Sequence, residues 1–161
     1  MTIAIGSRLP EATLLTMGEN GAEAVTLSDR LKGRKVVIFG LPGAYTGTCS
    51  TAHVPSFMRT AGKCADKGVD EILCVSVNDP FVMKAWGEAT GATATGITML
   101  GDADASFTKA IGLTFDVPHL GFFARSKRYS LLAEDGVVTQ FNPETGPGCE
   151  ISAGEHLLSQ L

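Results

Sequence analysis

Val36-Val37-Ile38-Phe39, followed almost at once by the loop Pro42-Gly43-Ala44-Tyr45-Thr46-Gly47-Thr48-Cys49, decides how this chain is read. The four apolar residues form a short run rich in β-branched and aromatic side chains, which reads as a buried strand. The segment after Cys49 can be helical as far as about Asp66. That places a cysteine near the first turn of a helix, just above the end of a central strand. Unpaired N–H groups and the positive end of the helix dipole favour an anion at such a position. A thiol there is expected to ionise readily, and the thiolate is the nucleophile. Pro55 falls inside the expected helix, and the backbone donor it lacks predicts a kink.

Working outward, Gly68 closes the helix, as glycine commonly does. Ile72-Leu73-Cys74-Val75-Ser76-Val77 reads as the next buried strand, so strand, helix and strand form a βαβ unit with a right-handed crossover. Asp79 as N-cap and Pro80 in the first turn start a helix running to about Thr90. A short strand is expected at Thr98-Met99-Leu100 and a helix from Ala103 to Ile111. Upstream, Asn20-Gly21 suggests a hairpin and Ser28 to Leu31 a helical turn. Downstream, Asp135-Gly136 between Arg128–Glu134 and Val137–Phe141 is a strong hairpin signal. Ser152-Ala153-Gly154-Glu155 has the pattern of a capping box opening a last helix. This order is that of an α/β, thioredoxin-like fold with a central mixed sheet flanked by helices. No repeat or linker-like boundary interrupts it, so residues 1–161 read as one domain.

Composition narrows the function classes. The 161 residues are 44% apolar with a formal net charge of −4, which describes a globular chain rather than a disordered one. No cationic stripe exists to neutralise phosphates, which argues against nucleic acid as a partner. No apolar run reaches the roughly 20 residues of a membrane span, so no membrane partner is expected. The N-terminus lacks the charged start and long apolar core of a signal peptide. The four cysteines, Cys49, Cys64, Cys74 and Cys149, form no C-x-x-C pair and do not sit with His53, His119 or His156 at zinc-site spacing. With no secretory signal, the expected setting is a reducing cytoplasm.

The pattern Pro42-x-x-x-Thr46-x-x-Cys49, in the setting PGAYTGTCSTAHVPSF, resembles the peroxidatic signature of peroxiredoxins of the type II (atypical, peroxiredoxin-5-like) branch. EILCVSVNDPFVMKAW at 71–86 also resembles that branch, and KRYSLLAEDGVV at 127–138 matches where the family carries its active-site arginine. The likeness runs along nearly the whole chain, with Gly47 as a departure from the proline that usually follows the threonine. The resemblance implies a peroxidase that reduces hydrogen peroxide and alkyl hydroperoxides with electrons from thiols, as an antioxidant of cell redox homeostasis. Cys49 would be the peroxidatic nucleophile, Thr46 and Arg128 its polar partners, and Pro42 the shield of the pocket. It implies no metal or organic cofactor, and a homodimer. Recycling would come from glutathione with glutaredoxin, or from thioredoxin.

The chemistry explains why these residue types recur together. An ordinary thiol is only about 3% ionised at pH 7, so full ionisation gains roughly thirtyfold at most. A less basic thiolate is also a weaker nucleophile. The remaining acceleration must come from stabilising charge as it moves onto the leaving oxygen. Arg128 supplies a permanently charged, planar donor, Thr46 a hydroxyl three residues before the sulfur, and Pro42 a wall that lacks a competing N–H.

Cys74 and Cys149 are the two possible resolving thiols. Cys74 matches a second cysteine of plant-like relatives, yet lies about 10 Å below the site along its strand at 3.3 Å per residue. A disulfide needs Cα atoms within about 7 Å. A core cysteine is the alternative reading. Cys149 follows Gly146-Pro147-Gly148 in an expected loop, and Cys64 is read as non-catalytic. His53 is read as a packing or dimer contact, with tuning of the site as the alternative. Phe81, Met83 and Trp86 are expected in the core, and Phe122-Phe123 near the pocket. Arg125 and Lys127 read as solvated edge-strand charges. Two other functions are compatible with a reactive cysteine: a thiol–disulfide exchanger, and a redox-sensing or chaperone-like binding protein.

Overall fold

The computed structural model describes all residues, Met1–Leu161. Seven strands form one mixed sheet: β1 (Thr13–Gly18), β2 (Gly21–Thr26), β3 (Lys35–Gly40), β4 (Glu71–Ser76), β5 (Thr98–Gly101), β8 (Tyr129–Glu134) and β9 (Val137–Pro143), in the order β2-β1-β5-β4-β3-β8-β9. Strands β3, β4 and β5 are parallel, and β8 runs antiparallel to β3. The helices are α1 (Leu27–Leu31), α2 (Val54–Asp66), α3 (Pro80–Thr90), α4 (Ser106–Ala110) and α5 (Gly154–Ser159). A separate two-stranded ribbon, β6 (Thr114–Val117) with β7 (Phe122–Ser126), was not expected from the pattern of apolar residues.

Alternation along the central strands sorts the interior into two layers. Val36, Ile38, Leu73 and Val75 face one side, where they pack with Leu27, Leu31 and Phe107. Val37, Phe39, Ile72 and Cys74 face the other, against Phe57, Met83, Trp86 and Leu157 from α2, α3 and α5. Full burial of each large side chain contributes about 1.5–3 kcal/mol. Phe39 and Phe57 stack with centroids 4.2 Å apart, which fixes α2 over β3.

The expected turns form for the expected reasons. Asp135 and Gly136 both have positive φ, +51° and +79°, as a two-residue hairpin turn requires. Asp79 caps α3 by accepting from the Val82 N–H at 2.9 Å. Three expectations need correction. The helix expected from Ala103 begins only at Ser106, because Ala105 adopts φ +62° and Asp102 folds back to accept from Phe107 N, Thr108 N and Thr108 Oγ1. The capping box at Ser152–Glu155 is not made: α5 is capped at Ala153, Ser152 donates to Glu144, and Glu155 pairs with Arg59. Phe81, expected in the core, is 65% exposed, whereas Met83 and Trp86 are fully buried.

Candidate active site

The loop after β3 lies at the carboxyl ends of the parallel strands, and its shape is held by hydrogen bonds rather than by packing alone. Ala44 N donates to Asn78 Oδ1 at 3.0 Å, and Ser76 Oγ donates to the same oxygen at 2.6 Å. The end of β4 thereby grips the loop. Tyr45 has φ +64° and is 58% exposed. Thr46 Oγ1 donates to Gly43 O at 2.6 Å, closing the turn that leads into the helix. Arg125 Nη1 donates to Pro42 O at 3.0 Å while its guanidinium lies 4.8 Å over the Phe122 ring. A Cβ on Gly43 would meet that Nη1 at 2.3 Å, so a larger residue there would displace the arginine head. The reading of Arg125 as a solvated charge is thus corrected: it ties the β6–β7 ribbon to the cysteine loop.

Cys49 sits in the first helical turn, as expected. The helix then widens: Cys49–His53 is a π-helical turn, with Val54 N donating to Cys49 O, before α2 continues. The missing donor of Pro55 falls at this junction, just after the π-helical turn. The wide turn carries Cys49 and His53 side chains into the interior, where Cys49 is 1% and His53 0% exposed. Trp86 Nε1 donates to Ser50 Oγ at 3.0 Å and anchors the turn to α3. A Cβ on Gly47 would meet nothing within 4 Å, so the departure from proline there opens no conflict.

Arg128 reaches the sulfur through strand register. Gly40 pairs with Tyr129 across β3 and β8, which sets Arg128 one residue further, beside the cysteine loop. Gly40 must be glycine, since a Cβ would stand 2.2 Å from the Tyr129 ring. Arg128 is 7% exposed. Its Nη2 donates to Cys49 Sγ at 3.4 Å, and its Nη1 lies 3.1 Å from His53 Nδ1. His53 Nε2 lies 3.1 Å from Ser152 O, which can only accept. The ring therefore carries its proton on Nε2 and offers a lone pair from Nδ1 to Arg128. Burial, then the positive charge of Arg128, pushes His53 from its ordinary 6.5 down to about 3, so the imidazole is neutral. His53 is thus an internal partner of the arginine. Its ring packs tilted against Phe39 and Phe57, with centroids 5.0 and 5.7 Å away.

A cavity of about 650 Å³ opens onto Arg128 and Pro42, with Phe115, Val117, Leu120 and Phe122 on one wall and Glu144 to Pro147 on another. Lys127 also lines it. All four cysteines are free thiols. Cys74 lies in the central strand, in register with Phe39, and burial pushes its thiol well above the ordinary value, the charge of Cys49 adding to the effect. Cys149 is half-buried in the loop before α5, with Sγ 3.8 Å from Ser152 Oγ; burial raises its thiol as well. Cys64 lies in α2, within the apolar layer. No group of three or more His, Cys, Asp or Glu gathers where a metal ion could sit.

Residues 4–158 match the Redoxin family model, and the chain is 43% identical over 164 residues to peroxiredoxin-2E-2, chloroplastic, of Oryza sativa subsp. japonica, covering 99% of this chain and 73% of the relative. This chain belongs to the type II peroxiredoxins. Peroxiredoxin-2B of Arabidopsis thaliana is 40% identical, covering 99% of this chain and 98% of the relative. The crystal structure of reduced Prx3 in complex with hydrogen peroxide from Vibrio vulnificus superposes with a TM-score of 0.94 at 46% identity, covering 99% of each chain. The chain is accordingly a peroxiredoxin, a thiol peroxidase of thioredoxin-like fold, with peroxidatic Cys49 beside Arg128. No helix of this peroxiredoxin is long and apolar enough to cross a membrane.

Sequence reasoning missed the roles of Asn78, Arg125 and Glu144. Asn78 stands in the recognised 71–86 segment but carries no signal of its own. Glu144 is followed by its hydrogen-bond partners six and eight residues later, across a loop with no periodicity to reveal it.

Proposed function

We propose that this chain, read as one redoxin domain over residues 1–161, reduces hydrogen peroxide and alkyl hydroperoxides at Cys49 and is recycled by glutathione with glutaredoxin. The observation that carries this reading is the buried guanidinium of Arg128 donating to the Cys49 sulfur at 3.4 Å. The thiolate attacks the terminal oxygen of the peroxide, an S–O bond forms and the O–O bond breaks. The sulfur becomes sulfenic acid, and the departing alkoxide or hydroxide takes up one proton, equal to the one lost when the thiol ionised. Arg128 cannot give up a proton, so it acts as a fixed cation and donor toward the oxygens. Thr46 spends its hydroxyl proton on Gly43 O, which leaves its lone pairs to accept the peroxide O–H. Pro42 lines the cavity beside Arg128, and as the shield of the sulfur it would limit water without adding a donor. The apolar wall of Phe115, Val117, Leu120 and Phe122 suits the carbon chain of an alkyl hydroperoxide.

A thiol from outside then condenses with the sulfenic acid, releasing water and leaving a mixed disulfide at Cys49. A second thiol restores the cysteine. The raised thiols of Cys74 and Cys149 support an external donor over internal resolution, with thioredoxin the runner-up donor. Four free thiols fit a reducing compartment such as the cytoplasm. With a glutathione, glutaredoxin and NADPH-coupled supply, Cys49→Ser is expected to stop peroxide consumption, and the wild type to consume many equivalents per subunit. Retained turnover in Cys49→Ser sinks the reading. A wild type that stops after about one equivalent favours a sensor instead.

We also propose a homodimer formed over the rim of this site. Exposed Tyr45, Phe81, Leu120 and Phe123 all lie on segments tied to the cysteine loop, an apolar load unusual for a free surface. Sedimentation at micromolar concentration is expected to give twice the chain mass, and Phe123→Glu to give the chain mass. A wild-type monomer rejects the dimer.

A further inference from the structure

We propose that Glu144 is a positioning residue for the peroxidase reaction, acting through Ser152 and His53 to aim Arg128 at the sulfur. This rests on the reading of Arg128 as the group that holds the reacting oxygens. One carboxylate oxygen of Glu144 gathers the loop that follows β9: it accepts from Glu150 N at 2.6 Å, Ser152 N at 2.9 Å and Ser152 Oγ at 2.7 Å. That loop contains Gly146-Pro147-Gly148 and has no strand or helix of its own to hold it. The three bonds fix where the Ser152 carbonyl points, and that carbonyl accepts the hydrogen bond from His53 Nε2–H. The backbone N–H of Glu144 also donates to Arg128 O at 2.9 Å, so the same residue touches both the main chain and, by relay, the side chain of the arginine.

The relay matters because Arg128 has two side-chain bonds, one to His53 and one to Cys49. During the reaction the sulfur changes from thiolate to sulfenic acid, so its bond to Nη2 must change. The His53 bond is then the remaining side-chain anchor that keeps the fork oriented. A flexible arginine released from that anchor can adopt many rotamers, and misplacing a reacting group by about 1 Å can cost on the order of a hundredfold in rate. Burial acts to raise the Glu144 carboxyl, but the hydrogen bonds from Ser152 and Glu150 and the charge of Arg128 outweigh it and leave the group below its ordinary value. Glu144 is therefore ionised at neutral pH, the form that accepts all three bonds. It also lines the cavity beside Arg128, so the loop it organises is at the same time a wall of that cavity.

The test uses the full chain with hydrogen peroxide in stopped flow, followed by the fluorescence of Trp86, which is bonded to the residue next to Cys49. Glu144→Ala is expected to lower the second-order rate constant by about tenfold or more, and Glu144→Gln, whose amide oxygen can still accept, to recover it to within about threefold. In an Arg128→Ala background, Glu144→Ala is expected to change the rate by less than about twofold, because residues acting through one group are not additive. A wild-type rate for Glu144→Ala overturns the proposal. So does an equal fractional loss in both backgrounds, which would mean a general loosening of the site. If Arg128→Ala alone leaves the rate unchanged, the reading of Arg128 fails first and the proposal with it. Should Glu144→Ala not fold by circular dichroism, Ser152→Ala in the same two backgrounds decides the matter: loss only with Arg128 present supports the relay, and equal or no loss rejects it.

Discussion

A histidine held neutral inside a core makes stability depend on pH in one direction. Burial first, and the charge of Arg128 second, lower His53 to about 3 from the ordinary 6.5. Between those two values the unfolded chain takes up a proton that the folded chain refuses. Stability is therefore full above about pH 6.5 and falls as pH drops toward 3, by about 1.4 kcal/mol per pH unit. The same neutrality keeps Nδ1 free as an acceptor for the arginine, so the stability cost and the site geometry share one cause. Chemical denaturation at pH 7 and pH 5 is expected to show the wild type losing about 2 kcal/mol more than His53→Gln over that interval. Parallel pH dependences for the two proteins would contradict the assignment of His53 as a buried neutral group.

At the scale of elements, legibility followed the range of the interactions. Strand β3, the helix start at Cys49, and the β8–β9 hairpin rest on signals within a few residues: an apolar run, a proline–glycine loop, and Asp135-Gly136. Each was readable because the physics that makes it is local. The capping box at Ser152 failed for the opposite reason. Its local pattern was sound, but Glu144 offers the serine hydroxyl a charged acceptor eight residues away. The serine is drawn into the loop before α5, and the helix starts one residue later, with Ala153 at its N-cap and no side-chain cap. The π-helical turn before Pro55 likewise had no local signal in the sequence. The sequence motif pointed to Cys49 and Arg128, which the structure brings together, but not to the neutral histidine that joins the arginine to the last loop. That link spans 75 residues from His53 to Arg128 and 99 from His53 to Ser152, distances at which spacing carries no information.

Across the whole molecule, Cys74 and Cys149 are set apart by what surrounds them as well as by their raised thiols. Cys74 lies in β4 with strands on both sides, in register with Phe39 and Met99. Its layer also holds Phe57 and Trp86, so moving it toward Cys49 would open the face of the sheet on which α2 and α3 rest. Cys149 lies 3.8 Å from Ser152 Oγ, and the Ser152 carbonyl in turn meets His53, which meets Arg128, which meets Cys49. On the proposed one-cysteine cycle, either bridge would need local opening of these contacts before the two sulfurs could meet. After one equivalent of hydrogen peroxide, mass spectrometry under native conditions is expected to find sulfenic acid at Cys49, and a glutathione adduct at the same residue once glutathione is added. Cys49–Cys74 or Cys49–Cys149 disulfide is expected only after denaturant is added. Stoichiometric formation of either bridge in the native protein would overturn the one-cysteine cycle, and would show that the helix carrying Cys49 unwinds faster than glutathione reaches it.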